Sequence, residues 1–177
     1  MLSLLTGGRT EELRRLTWSH VVAHDVARGA WLPVTEVGWE HDEFAVYVWR
    51  SVRAGGYTKT PLSRRTLQLP RRCVYALAVL WDGLAARGAE PTCDGPDRLV
   101  FGTRNGTQMS AGNVRREFRR VIMRAGMEAA EWTPREMRHS FVSLLSDGGC
   151  LWRTSRAWSA TAGPPSRRRC TGCRSDR

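Results

Sequence analysis

Apolar positions change their period several times along this chain, and each change predicts an element. The chain opens in an apolar run, Leu2, Leu4 and Leu5, that breaks at Gly7-Gly8. It restarts as R-T-E-E-L-R-R-L-T-W, where Leu13 and Leu16 behind Glu11 and Glu12 predict a short helix with acidic residues in its first turn. E-F-A-V-Y-V-W-R-S-V and S-R-R-T-L-Q-L-P, at 43–52 and 63–70, are alternating, β-branched and aromatic. They predict two strands of a hairpin whose long tip is R-A-G-G-Y-T-K-T-P-L. Residues 71–87 carry Val74, Leu77, Leu80, Trp81 and Leu84 at helical spacing, ending near Gly88.

After the loop E-P-T-C-D-G-P-D, the segment D-R-L-V-F-G-T-R-N-G-T-Q predicts a short strand and an Asn-Gly turn. Ser110 then caps a helix bearing Val114, Phe118, Val121 and Ile122 that stops at Gly126. Thr133-Pro134-Arg135-Glu136 is a capping box with proline at the first helical position. The helix it opens is expected to bury Met137, Phe141, Leu144 and Leu145, to turn Arg135 and Arg138 toward another face, and to end at Gly148-Gly149. There is no internal repeat. Several helices with one small antiparallel sheet make the class α+β, mainly helical.

Composition narrows the partner. A chain of 177 residues with 41% hydrophobic and 25% charged positions is long enough for one domain with a core, and is not of disordered composition. A net charge of +11 points to a polyanion. Residues 1–149 carry only net +5, and residues 150–177, with seven Arg against Asp176, carry net +6. No segment reaches the roughly 18 apolar residues of a membrane span, and the N-terminus lacks the order of a signal peptide, so a cytoplasmic address is expected. Five Cys without a secretory signal are expected to be buried or free thiols, and C-T-G-C at 170–173 has no second ligand pair, so no metal is expected. Of 28 basic residues, Lys59 alone is not Arg, which suggests a position needing an amine that can give up its proton.

Three stretches, in order, resemble the tyrosine recombinase (phage integrase) family. L-L-T-G-G-R-T-E-E-L-R-R-L-T-W looks like its first arginine box, giving Arg9, Glu12, Leu16 and Trp18. T-K-T-P-L-S-R-R-T-L-Q-L-P is similar to its β-hairpin with an active-site lysine, here Lys59. T-P-R-E-M-R-H-S-F resembles the second arginine box, usually His-x-x-Arg-His, here Arg135 to His139. The resemblance implies an integrase-type catalytic domain, and a reaction in which a tyrosine attacks a phosphate of double-stranded DNA to give a 3′-phosphotyrosine without metal or cofactor. It implies that Arg9 and Arg138 clamp the non-bridging oxygens, that Lys59 protonates the departing 5′-oxygen, and that Arg135 also meets the phosphate. Glu12 is expected to order Arg9. His139 is expected to be a buried, hydrogen-bonded support. Members of the family work as tetramers on DNA.

The chain also departs from the family. Arg135 stands where His is usual and can donate to phosphate but cannot accept the tyrosine proton. The chain begins almost at the first box, and after the second box neither Gly-His nor a nucleophilic Tyr follows; Tyr47, Tyr57 and Tyr75 all lie upstream. Residues 1–149 are thus expected to be an incomplete catalytic domain, and 150–177 a non-native, disordered basic tail. Read two bases out of frame with permissible codons from Gly149, the tail becomes V-P-V-E-D-I-S-R-L-V-G-H-S-G-T-S-V-T-E-A-V-Y-R. There the missing Gly-His falls across Ser159 to Thr161 and the Tyr across Cys170 and Thr171. The expected function is that of a recombinase fragment inactive alone, with a non-catalytic DNA-binding fragment or an unstable gene remnant as the alternatives.

Overall fold

The computed structural model describes residues 1–49, 64–87 and 98–147. Lys59 and the rest of the hairpin tip, Cys93, and the tail with C-T-G-C lie outside the described residues. The described chain runs α1 (Leu2–Thr6), α2 (Thr10–Leu13), a 3-10 turn (Trp18–His20), β1 (Val21–Asp25), β2 (Ala30–Pro33), α3 (Val34–Val37), β3 (Phe44–Val48), β4 (Arg65–Gln68), α4 (Arg71–Ala85), α5 (Ala111–Arg124) and α6 (Glu136–Asp147).

Four antiparallel strands form one sheet in the order β2-β1-β3-β4. The two strands expected at 43–52 and 63–70 pair as β3 and β4, with Val46 opposite Leu67 and Val48 opposite Arg65. One face of β1 and β3, through Val21, Ala23, Phe44, Val46 and Val48, packs with Leu13, Leu16, Trp18, Cys73 and Leu77 into the main core. Trp18, only 1% exposed, stands edge-on to Trp81 of α4 at 5.1 Å. Burying such large rings supplies much of the apolar area that holds helix and sheet together. Val22, Ala45 and Tyr47 form a second, smaller cluster on the other face, with Trp31 and Trp49 packed on it.

The hairpin β1–β2 and the single-turn α3 were given no element by the sequence pattern. Val21, Val22 and Ala23 are all buried, so the alternation that marks a half-exposed strand is missing there. The segment after residue 97 forms isolated bridges, Leu99 to Thr17 and Gly102 to Gln108, rather than a full strand. The turn at Gly106, with φ +72°, is where the Asn-Gly pair predicts it. Ser110 caps α5 by accepting the Asn113 N–H at 3.0 Å. In α6, Met137 and Phe141 are half-buried, but Leu144 is 57% exposed, against expectation. Among the described elements α6 packs on α1, and a five-residue partner covers only part of a twelve-residue apolar stripe. Cys73 is a buried free thiol, and burial pushes its pKa up. No helix among the described residues is long and apolar enough to cross a membrane.

Candidate functional site

Two tight turns bring the first and second arginine boxes together. α1 ends at Gly7 in the left-handed conformation (φ 65°), its N–H returning to the Ser3 carbonyl at 3.1 Å. A Cβ at Gly7 would lie 2.5 and 2.7 Å from ring carbons of Phe141, so the turn is pressed flat against α6. Arg9 follows in extended conformation and is the N-cap of α2. At the other end Thr133 donates its backbone N–H to Glu136, one of the two bonds of the expected capping box, while the helix itself starts at Glu136 rather than at Pro134; hydrogen bonding to the Thr133 side chain and then to its backbone lowers the Glu136 pKa.

The result is a cleft of about 570 Å³ lined by Ser3, Arg9, Thr10 and Glu11 on one side and Pro134, Arg135, Arg138, His139 and Val142 on the other. Of the sequence-derived site residues, Arg9, Arg135, Arg138 and His139 meet in this cleft. Glu12 lies beneath Arg9, and Lys59 is outside the described residues. His139 is exposed rather than buried. Two residues from both Met137 and Phe141, it lies on the side of α6 opposite to them.

Beneath the cleft Glu12 is only 2% exposed and its four acceptor positions are all used. Oε2 accepts the Arg9 backbone N–H at 2.9 Å and Oε1 accepts Arg9 Nη1 at 3.2 Å. Arg65 of β4 donates Nη1 to Oε1 at 3.1 Å and Nη2 to Oε2 at 2.7 Å. Burial pushes the Glu12 pKa up, but the hydrogen bonds and charges of Arg65 and Arg9 outweigh it and leave it below the ordinary value. The Arg138 pKa is lowered, first by burial, then by the neighbouring charges of Arg9 and Arg65, with Glu12 opposing and Arg135 adding. The cleft and the cluster beneath it therefore hold Arg9, Arg65, Arg135 and Arg138 against Glu11 and the already paired Glu12, a surplus of guanidinium that suits an oxyanion with more than one acceptor oxygen.

Sequence reasoning missed Arg65. The signal was the doublet Arg64-Arg65: neighbours in a strand point to opposite faces, and only the pairing of Arg65 with Val48 decides which arginine turns toward the core side. It also missed a basic groove along α5, lined by Gly112, Arg115, Arg116, Arg119, Arg120 and Met123, residues that share one helix face. The approach to α5 is tied to the first box, since Arg14 Nε donates to the Met109 carbonyl at 2.7 Å and Arg15 Nη1 to Gln108 Oε1 at 3.2 Å.

This fold, an antiparallel sheet flanked by helices, is that of integrase catalytic domains. The chain is similar to the Tn1549 transposon integrase solved in complex with transposon right end DNA, with a TM-score of 0.57 at 23% identity, covering 84% of this chain and 45% of that one. It is similar also to XerA recombinase, with a TM-score of 0.52 at 21% identity, covering 84% and 41%. In sequence it is 49% identical over 154 residues to an integrase of Streptomyces ambofaciens, an alignment that takes in 84% of this chain and 37% of that protein. No protein-family model matches the sequence. The chain belongs to the integrase family of tyrosine recombinases, and it spans about two fifths of the curated relative's length.

Proposed function

We propose that the cleft between the Gly7–Arg9 turn and α6 grips a phosphodiester of duplex DNA, as the phosphate-clamping part of a site-specific recombinase acting in the cytoplasm. The convergence of Arg9, Arg135 and Arg138 on one cleft carries this reading. Arg9 and Arg138 would donate to the two non-bridging oxygens and stabilise the charge that builds on them in a pentacoordinate transition state. Arg135 adds a donor without acid–base capacity. Lys59 would supply the proton to the leaving 5′-oxygen. Among the described residues neither Tyr47, which is buried against Trp49, nor Tyr75 on α4 lines the cleft, and Tyr57 lies outside them. On this reading the chain holds DNA and does not cut it unaided. The α5 arginines would add backbone contacts beyond the scissile phosphate.

The test is binding of a fluorescent duplex across a salt series. A strongly salt-dependent, sequence-tolerant affinity is expected, and Arg9→Gln and Arg138→Gln should each flatten the slope of log K on log salt by about one. A flat response in the unaltered chain, or slopes untouched by either substitution, overturns the reading. With nicked duplex, no covalent protein–DNA adduct is expected to accumulate; its appearance would reveal a nucleophile in the chain as it stands.

A further inference from the structure

We propose that Arg65 is the positioning residue of the cleft: by occupying both oxygens of Glu12 it limits the hold of that carboxylate on Arg9 and keeps the Arg9 guanidinium presented to the cleft. The geometry is that of two arginines sharing one buried acid. Arg65 forms the fork, with two parallel N–H···O contacts of 3.1 and 2.7 Å. Arg9 touches Glu12 through a single guanidinium nitrogen at 3.2 Å and its backbone N–H. The Arg9 side chain is 43% exposed and lines the cleft, whereas that of Arg65 is 24% exposed and does not line it.

A carboxylate buried this deeply does not stay half-satisfied. With Arg65 removed, Glu12 has two open acceptor sites, and Arg9, already bonded to Oε1 through Nη1, carries further N–H groups to fill them. Arg9 would then close the bidentate pair itself, turning inward and losing its charge to the acid. Arg65 also fixes where this happens. It is the first residue of β4, 53 positions from Glu12, so the contact ties the first arginine box to the strand that emerges from the Lys59 segment. In β4, Arg65 and Leu67 occupy the face shared with Val46 and Val48, so a register slip of one residue would put Arg64 or Thr66 on that face instead.

The inference rests on the phosphate reading, and two measurements separate the two. In the salt series, Arg65→Met should flatten the slope by about one, as Arg9→Gln does, although Arg65 itself does not line the cleft. Removing the acid as well, in Glu12→Gln/Arg65→Met, should restore the slope of the unaltered chain, because a neutral amide in place of the carboxylate cannot neutralise Arg9. If Arg65 contacted phosphate directly, or served only to hold the fold, the double variant would stay as flat as the single one. That outcome overturns the proposal while leaving the phosphate reading intact.

The second measurement needs no DNA. In full-length chain labelled at arginine with nitrogen-15, rotation about the Arg9 Nε–Cζ bond should slow in Arg65→Met, where the guanidinium is clamped by both edges. It should return to its original rate in the double variant. The Arg9 signal is assigned by its loss in Arg9→Gln. An Arg9 signal unchanged by Arg65→Met in a protein that still melts cooperatively overturns the proposal, even if the chain binds no DNA at all.

Discussion

Glu12 is the residue on which the site turns, because a carboxylate at 2% exposure is tolerable only with every acceptor position filled. Its lowered pKa has a sign that can be tested. A carboxylate whose folded pKa lies below its unfolded value, about 4.3, contributes stability in full above that unfolded value. The contribution is lost as pH falls through the depressed folded value. Urea midpoints measured from pH 7 downward should therefore drop in the acid range, and Glu12→Gln should remove part of that drop. At pH 7 the same substitution should cost roughly 2 kcal/mol, the order of a charge-assisted hydrogen-bond set whose cationic partners keep some access to water. An acid limb identical in the two proteins would mean that Glu12 is not held as described. At this scale the sequence was legible where spacing is local: Arg9 and Glu12 are one helical turn apart. Arg65 was not, because its partner is 53 residues away and its neighbour Arg64 is chemically the same.

At the scale of elements, helices with a single apolar stripe and a hairpin with clear alternation were readable. α4, α5 and the β3–β4 pair form where the pattern puts them. β1, buried on both sides, and the four-residue α3 offer no period to detect. Leu144 shows the complementary failure: periodicity marks a stripe that could be buried, and whether it is depends on how long the partner is. The α1–α6 contact that builds the cleft hangs on Gly7, with its left-handed φ of 65° and no room for a Cβ before the Phe141 ring. Gly7→Ala should cost roughly 2–4 kcal/mol, the backbone and overpacking penalties together. Adding Phe141→Leu should recover only the overpacking part, leaving about 1–2 kcal/mol from the backbone. Thermal melts of the two variants measure this, and full recovery in the double variant would show that the turn itself is unstrained by the substitution.

For the whole molecule, no Tyr follows Tyr75 in the sequence, and we propose that the reason lies in the reading frame of residues 150–177. More than half of the net charge, +6 of +11, sits in these 28 residues, which contain no Ile or Val. A frame shifted by two bases builds each codon from the last base of one visible codon and the first two of the next, so Thr161, which begins AC, permits only His, Tyr, Asn or Asp in the shifted frame. The permitted readings include one with Gly-His across Ser159 to Thr161 and Tyr across Cys170 and Thr171, in the order that the resemblance implies. Physically, the shift would exchange a nucleophile for arginines, leaving Arg9 and Arg138 able to bind a phosphate that nothing in the chain attacks. Sequencing the coding DNA decides it: the frame displaced by two bases from Gly149 should encode both Gly-His and Tyr at these places, and their absence there ends the proposal. Strand cleavage by a frame-restored chain is a poorer criterion, because the chain spans only about two fifths of the curated relative's length.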